Sequence, residues 1–332
     1  MAEIAPLEAV KKMTAEHPKL WDLIDRLVKM SEVENVVWDR QICYCPISAA
    51  ISALSYDTDM QTSLSQASFA SALASWRRGK FIYRFDSSLA AEILNMADDI
   101  VIPTEILYQM PAQCIYVELI PSDDKTVKAD TVMGFFAHIE SDVNNGEKEL
   151  RIHYINRDGN QVAQYIVHLI RNGTINDGID ESIKTMRKNL VNSITDHLVD
   201  YINNTRDLII QAVQLVLYIC AENADIEEDE AQSKIYRKSD RILDKYREIK
   251  KYDVGAKIGV ILRQNKRYPN YSHNAGSGAG NHKRSHLRRA HWHHFWTGSA
   301  NDKKLVLRWV NSIIVNQNDE TSPTIIKVNK KD

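Results

Sequence analysis

Cysteine is scarce in this chain. Four residues, Cys43, Cys45, Cys114 and Cys220, are spread over 332 positions, which builds no disulfide framework. Cys43-Tyr44-Cys45 is also too closely spaced for a thioredoxin-like pair. Long apolar runs are missing. The longest, around Ile209 to Ala221, is interrupted by Gln211 and Gln214 and is too short to span a bilayer. The N-terminal MAEIAPLEAVKKM lacks the apolar core of a signal peptide. The expectation is a soluble, reduced, cytoplasmic protein with no membrane partner. Net charge is low, at -2, so the molecule as a whole has no strong attraction to a polyanion. There is no phosphate loop, because Gly255 and Gly259 in VGAKIG lack the Lys-Ser/Thr that should follow. There is no clear helix-turn-helix, which argues against a DNA-binding regulator.

One further absence is local. No Asp or Glu occurs from Val254 to Asn301, while the same window holds Lys257, Arg263, Lys266, Arg267, Lys283, Arg284, Arg288 and Arg289. His273, His282, His286, His291, His293 and His294 join them. A near-neutral chain has placed positive charge in one segment, which is an electrostatic footprint for phosphate or an acidic partner. Interleaved arginines and aromatics suit RNA or single strands, since both kinds of plane stack on bases. The plainer reading is a basic surface loop satisfied by carboxylates elsewhere, such as those from Glu227 to Glu230.

The apolar fraction of 44% and charged fraction of 26% are those of a globular protein, with ample length for a core. Residues 1–100 read as mainly helical. Leu20, Trp21, Leu23, Ile24, Leu27 and Val28 recur at helical spacing. SQASFASALASWRRG predicts a second helix ended by Gly79, and Asp86-Ser87 starts a third. Then QCIYVELI, TVMGFFAHIE, ELRIHYIN and QVAQYIVHLI predict an antiparallel sheet, with Asp158-Gly159 as a hairpin turn. A long central helix is expected from Glu181 to Ala221, with a break near Asn203-Asn204, and a charged helix from Lys234 to Lys251. VGAKIGVIL, KLVLRWV, SIIVN and TIIKV read as strands, and NYSHNAGSGAGNH between them as a mobile Gly/Ser-rich loop near residues 270–282. The fold class is α+β: a helical region over 1–100 and an α+β core over 101–332, together one compact unit.

The segment HKRSHLRRAHWHHFWTGS, His282 to Ser299, admits three readings. Zinc is the first, with ligands among His286, His291, His293 and His294, and thiolates from Cys43 and Cys45. The spacing matches no closed tetrahedral site, so neither metal nor cofactor is expected. Metal-free RNA cleavage is the second: one imidazole as base, another as acid, an arginine on phosphate. A structural arm is the third and is favoured. Trp292, Phe295 and Trp296 would anchor an irregular segment on the sheet, Gly298 would permit a tight turn, and the arginines and histidines would bond backbone carbonyls.

The same residues resemble a family signature. Arg284-Ser285-His286-Leu287-Arg288-Arg289-Ala290-His291-Trp292-His293, then Trp296 and Gly298, then Arg308-Trp309 ending KLVLRW, and a terminal IIVN, are similar to R-P-H-x-R-R-G-H-W-H-x-x-W-x-G, a strand ending R-W, and V-N. The resemblance is to the type V-A anti-CRISPR family numbered two (VA-two) and to related phage and plasmid proteins. It extends more weakly over Phe85 to Glu118, through Pro103, Met110-Pro111 and Cys114-Ile115-Tyr116-Val117. Residues 1–80 show no matching motif. Ser285 stands where the pattern has proline, and Ala290 where it has glycine.

The resemblance implies suppression of the type V-A CRISPR effector nuclease before it is made. The nascent N-terminal segment of the effector is recognised during translation and its messenger RNA is lost, with the ribosome or RNA as a further partner. Peptide recognition needs a groove or a free sheet edge. The binding cluster is expected at Arg284, His286, Arg288, Arg289, His291, Trp292, His293, Trp296, Gly298, Arg308 and Trp309. The rival is an enzyme, a nuclease or nucleic-acid-processing protein of a mobile element, with catalytic residues unassigned.

Overall fold

The computed structural model describes residues 4–33, 39–57, 63–96, 100–119, 132–141, 146–190, 196–230, 249–267, 286–288, 290–299 and 302–315. Four helices come first: α1 (Ala5–Glu16), α2 (Leu20–Val33), α3 (Ile47–Asp57) and α4 (Leu64–Trp76). Strand β1 (Phe81–Phe85), helix α5 (Ser87–Leu94) and a 3-10 turn (Thr104–Gln109) follow. Then come β2 (Cys114–Glu118), β3 (Gly134–Ser141), β4 (Lys148–Ile155) and β5 (Gln161–His168). Helices α6 (Ile175–Leu190) and α7 (Asp196–Cys220) lead to β6 (Ile226–Glu228), β7 (Lys250–Val254) and α8 (Ala256–Arg267). The last strands are β8 (His286–Arg288), β9 (His291–Ser299), β10 (Asp302–Val310) and β11 (Ile313–Val315).

A seven-stranded sheet in the order β5-β4-β3-β2-β1-β7-β6 divides the molecule. The predicted antiparallel β2 to β5 run is present. The β4–β5 connection turns at Gly159, whose φ of +75° needs no Cβ. The interior differs from expectation: β1 lies parallel to both β2 and β7. Alternate residues feed two separate cores, as the period of two demands. Ile82, Tyr116, Phe136 and Ile155 face α1 to α4. Tyr83, Phe85, Ile115, Val117, Phe135 and Ile152 face α5, α6 and α7. Helix α4 can lie flat on the sheet because its buried positions are largely Ala and Ser, which let backbones approach closely. Its N-terminus is capped by Ser63, whose hydroxyl accepts the Gln66 N–H at 3.1 Å.

Several expectations are corrected. β1, an interior strand of the sheet, lies inside the stretch read as helical. The central helix is two, and α7 runs unbroken through Asn203-Asn204. A capping box starts α6 earlier than expected. Thr174 Oγ1 accepts the Asp177 N–H, and Asp177 Oδ2 accepts the Thr174 N–H at 2.8 Å. VGAKIGVIL is no strand beyond Val254. Gly255 turns the chain at φ +78°, and the distant Asp225 carboxylate accepts the N–H groups of Lys257 and Ile258 at 2.8 and 3.2 Å. That remote cap makes α8. Lys250 and Lys251, read as the end of a charged helix, open β7; residues 234–248 of that helix, the Gly/Ser-rich loop and TIIKV lie outside the described residues. No helix among the described residues is long and apolar enough to cross a membrane.

Candidate functional site

The signature residues form a β-ribbon rather than an irregular arm. β9 and β10 pair antiparallel, with Trp292 opposite Trp309, His294 opposite Leu307, and Trp296 opposite Leu305. β8 and β11 continue the same ribbon without a slip, Ile313 standing opposite Arg288 just beyond the Val310–His291 pair. Arg284 and Arg289 lie outside the described residues, and His286 and Arg288 are placed by backbone only. A two-stranded ribbon is marginal alone, so docking must hold it.

Leu305, Leu307 and Trp309 supply the docking. All three are buried in the α7-side core, with Trp292 packed against it. Trp309 meets Tyr218 edge to face at 5.5 Å, and its indole N–H points at Met96 Sδ at 3.2 Å. Trp292 donates its indole N–H to Gln214 Oε1 at 2.5 Å. Gln214 is only 2% exposed, so a buried amide in an apolar helix is what meets the tryptophan. The interruption of the run at Gln214 was visible in the sequence; its partner was not.

The two edges of the ribbon differ. Leu307 carbonyl accepts the Glu222 N–H at 2.9 Å. Asn223 receives the Trp309 N–H at 2.9 Å and donates to the Trp309 carbonyl at 2.8 Å. Gln109 Nε2 donates to the Leu305 carbonyl at 2.7 Å. The outward edge of β10 is therefore occupied at the Leu305, Leu307 and Trp309 carbonyls and the Trp309 N–H by the residues after α7 and by the 3-10 turn. These bonds also make Trp309–Trp292 a non-hydrogen-bonded pair, so the backbone groups of Trp292, His294 and Trp296 point away from β10. They make no hydrogen bond to another described residue. Trp296, opposite Leu305, is 54% exposed on this strand. Gly298, at φ +96°, relaxes the ribbon's end.

The ribbon's outer face carries His291, His293 and Phe295 on β9, with Arg308 opposite His293. His293 and Phe295 rings lie 5.3 Å apart, and the Arg308 guanidinium sits 5.4 Å from the Phe295 ring. Arg308 does not bond a backbone carbonyl as expected; it pairs with the Glu222 carboxylate at 2.7 Å. His294 points inward, opposite to its neighbour. Elsewhere in the acid-free window two cations already have carboxylates, Lys257 on Glu227 and Arg263 on Asp86. The zinc option loses its thiols: Cys43 and Cys45 are buried in the α1–α4 core, across the sheet from the ribbon. Among the described residues no group of three or more His, Cys, Asp or Glu is arranged to hold a metal ion.

A polar cluster that sequence reasoning missed lies between the sheet and α4. His138 and His153 stack at 5.2 Å, both fully buried. Burial pushes the His153 imidazole down to about 3 and lowers His138 as well. Glu140 lies 4.0 Å from His138. Its carboxylate accepts the Ile47 N–H at 2.8 Å, yet burial pushes it up to about 7. With both imidazoles held neutral this is no ion pair. Its only sequence signal was a polar alternation within two strands.

The comparisons with known proteins agree with this architecture. The family model of the AcrVA2-like, anti-CRISPR type V subtype A2 family matches residues 83–317, more than half of the chain. Protein FinQ of Escherichia coli is 22% identical over 278 residues, covering 74% of this chain and 75% of FinQ. The crystal structure of AcrVA2 superposes with a TM-score of 0.60 at 18% identity, over 94% of this chain and 99% of that one. From β1 through the ribbon, the chain belongs to the AcrVA2-like family.

Proposed function

We propose that this protein suppresses biogenesis of the type V-A CRISPR effector by binding its nascent N-terminal segment and promoting loss of its messenger RNA. The observation that supports this reading best is the asymmetry of the ribbon. One edge is occupied by Glu222, Asn223 and Gln109. The other presents the backbone of Trp292, His294 and Trp296. An extended peptide adds to such an edge by main-chain bonds, and side chains beside it select sequence. The exposed Trp296 ring on the same strand is available to contact a peptide added there. The outer face, with Arg308 and the His293 and Phe295 rings, suits RNA emerging with the peptide.

The test is expression of the type V-A effector in bacteria with and without this protein, reading effector protein and message together. One arm recodes the effector's N-terminal amino acids, and another uses Arg288→Ala with Arg289→Ala. Message loss that needs both the encoded peptide and these arginines is the expected result. Unchanged message and protein overturn it.

A second reading, RNA cleavage by this chain, draws on His291, His293 and Arg308 sharing one face. It predicts that His291→Gln abolishes message loss without lowering the melting temperature. Under the binding reading the same change has a modest effect.

A further inference from the structure

A cavity of about 510 Å³ opens on the far side of the 3-10 turn, where α4 ends and β1 and β2 begin. Its apolar wall is Ile42, Phe81, Leu107, Met110 and Pro111. Arg78 is the single charged side chain lining it. The guanidinium carbon of Arg78 lies 4.4 Å from the centre of the Tyr44 ring, and Tyr44 is itself anchored through its hydroxyl, which donates to Asp25 Oδ1 at 2.7 Å. Arg78 makes no ion pair with a carboxylate among the described residues. One guanidinium N–H is engaged by the Tyr44 hydroxyl, and the five-donor fork leaves further N–H groups for a planar anion. The carboxylates nearest Tyr108 are both engaged by backbone: Asp39 accepts the Gln41 N–H at 3.1 Å, and Glu105 accepts the Asn172 N–H at 3.3 Å. Neither lines the cavity. Its size is that of a small-ligand site, and the uncharged polar side chains of Gln41, Ser75, Tyr108 and Gln113 line it beside the apolar wall.

We propose that this cavity binds a carboxylate borne on an apolar body, with the carboxylate on Arg78 and the body over Ile42, Phe81 and Met110. An acidic side chain beside an apolar one in a peptide presents this chemistry, and so does a small aromatic acid. The site is separate from the open edge of β9 and does not rest on the proposed function. Arg78 and Tyr44 lie outside residues 83–317 of the family match, whereas Leu107, Met110 and Pro111 lie within it.

The experiment is calorimetric titration of the full-length chain with two matched pairs. One pair is 4-phenylbutyrate and 4-phenylbutanol; the other is N-acetyl-Phe-Glu-amide and N-acetyl-Phe-Gln-amide. Each acid is expected to bind at least about tenfold tighter than its neutral partner. Arg78→Gln should erase that preference, Arg78→Lys should keep part of it, and Ala112→Leu should weaken all four ligands by filling the space. Whichever acid binds tighter assigns the source, peptide or small molecule. Absence of saturable binding by both acids overturns the proposal. So does equal binding of acid and neutral partner, or an Arg78→Gln variant, folded by its melting curve, that retains the preference.

Discussion

At the scale of single residues, buried polar groups govern what this protein tolerates. Trp292→Phe keeps the ring but removes the donor that satisfies Gln214 at 2.5 Å. A buried amide oxygen left without its partner costs about 1–3 kcal/mol, so the melting temperature should fall. Adding Gln214→Leu to that variant should recover part of the loss, because the amide oxygen that faced the indole is then gone. If the double variant is as unstable as the single, the indole contributes only shape. Glu140 gives a prediction in pH. Its carboxyl sits near 7 in the fold against an ordinary 4.5, so the folded state keeps a proton that the unfolded chain loses. Stability therefore falls as pH rises from about 4.5 to about 7 through this group. His153 acts from the other side: held near 3 against 6.5, it withdraws stability as pH drops below about 6.5. Glu140→Gln keeps an acceptor for the Ile47 N–H, turns the Ser71-facing oxygen into an NH2 that can donate to the Ser71 hydroxyl, and cannot ionise. The stability of that variant relative to the natural protein should rise by roughly 3 kcal/mol between pH 4.5 and pH 7. Chemical denaturation at a series of pH values measures this, and a difference that stays constant would place the Glu140 carboxyl at its ordinary value.

At the scale of elements, the open edge of β9 makes a backbone prediction. Trp296→Pro removes an N–H that points away from β10, a position where edge strands accept proline. Trp296→Ala removes the exposed ring but keeps the N–H. Both variants should melt close to the natural protein. In pull-down of the effector's N-terminal peptide, Trp296→Pro should lose binding by more than Trp296→Ala does. Equal losses would assign recognition to the ring alone and remove strand addition. The elements also mark how far the sequence was legible. β2 to β5 were readable because each alternates and each is bounded by turns. β10 was readable from KLVLRWV for the same reason. β9 was not, since His, Trp and Phe on both faces hide a period of two. β1 sits next to Gly79-Lys80 as five residues, FIYRF, too short to stand out between helices. α8 was misread because its cap comes from Asp225, some thirty residues earlier in the chain. The candidate cluster was found as a segment, but its division was not. Trp292 and Trp309 pack inward, His293 and Arg308 face out, and Gln109, Gln214 and Asn223 complete the site from afar. Only three-dimensional proximity links those polar residues to the motif.

At the scale of the whole molecule, the central strands β2 to β4 are largely covered on both faces, and this decides what can fold alone. The family match begins inside β1, at residue 83, which invites the view that α1 to α4 are an optional addition. The packing argues otherwise. Ile82, Cys114, Tyr116, Phe136 and Ile155 project from the sheet into the same core as Leu20, Ile24, Leu54, Leu73 and Trp76. Removing the helices would expose that whole row, together with the neutral His138 and His153 pair. Each large apolar side chain returned to water costs about 1.5–3 kcal/mol, and several at once exceed the usual 5–15 kcal/mol of a domain. A chain begun at Lys80 should therefore bind a hydrophobic dye and lose near-ultraviolet dichroism, whereas the full chain does neither. It should also lose the proposed effector-message suppression, although the entire signature ribbon is retained. If the shortened chain instead melts cooperatively and still suppresses the message, the ribbon and the sheet's α7 side form a sufficient unit. The Arg78 cavity would then be dispensable to the proposed activity, because one of its walls would be gone.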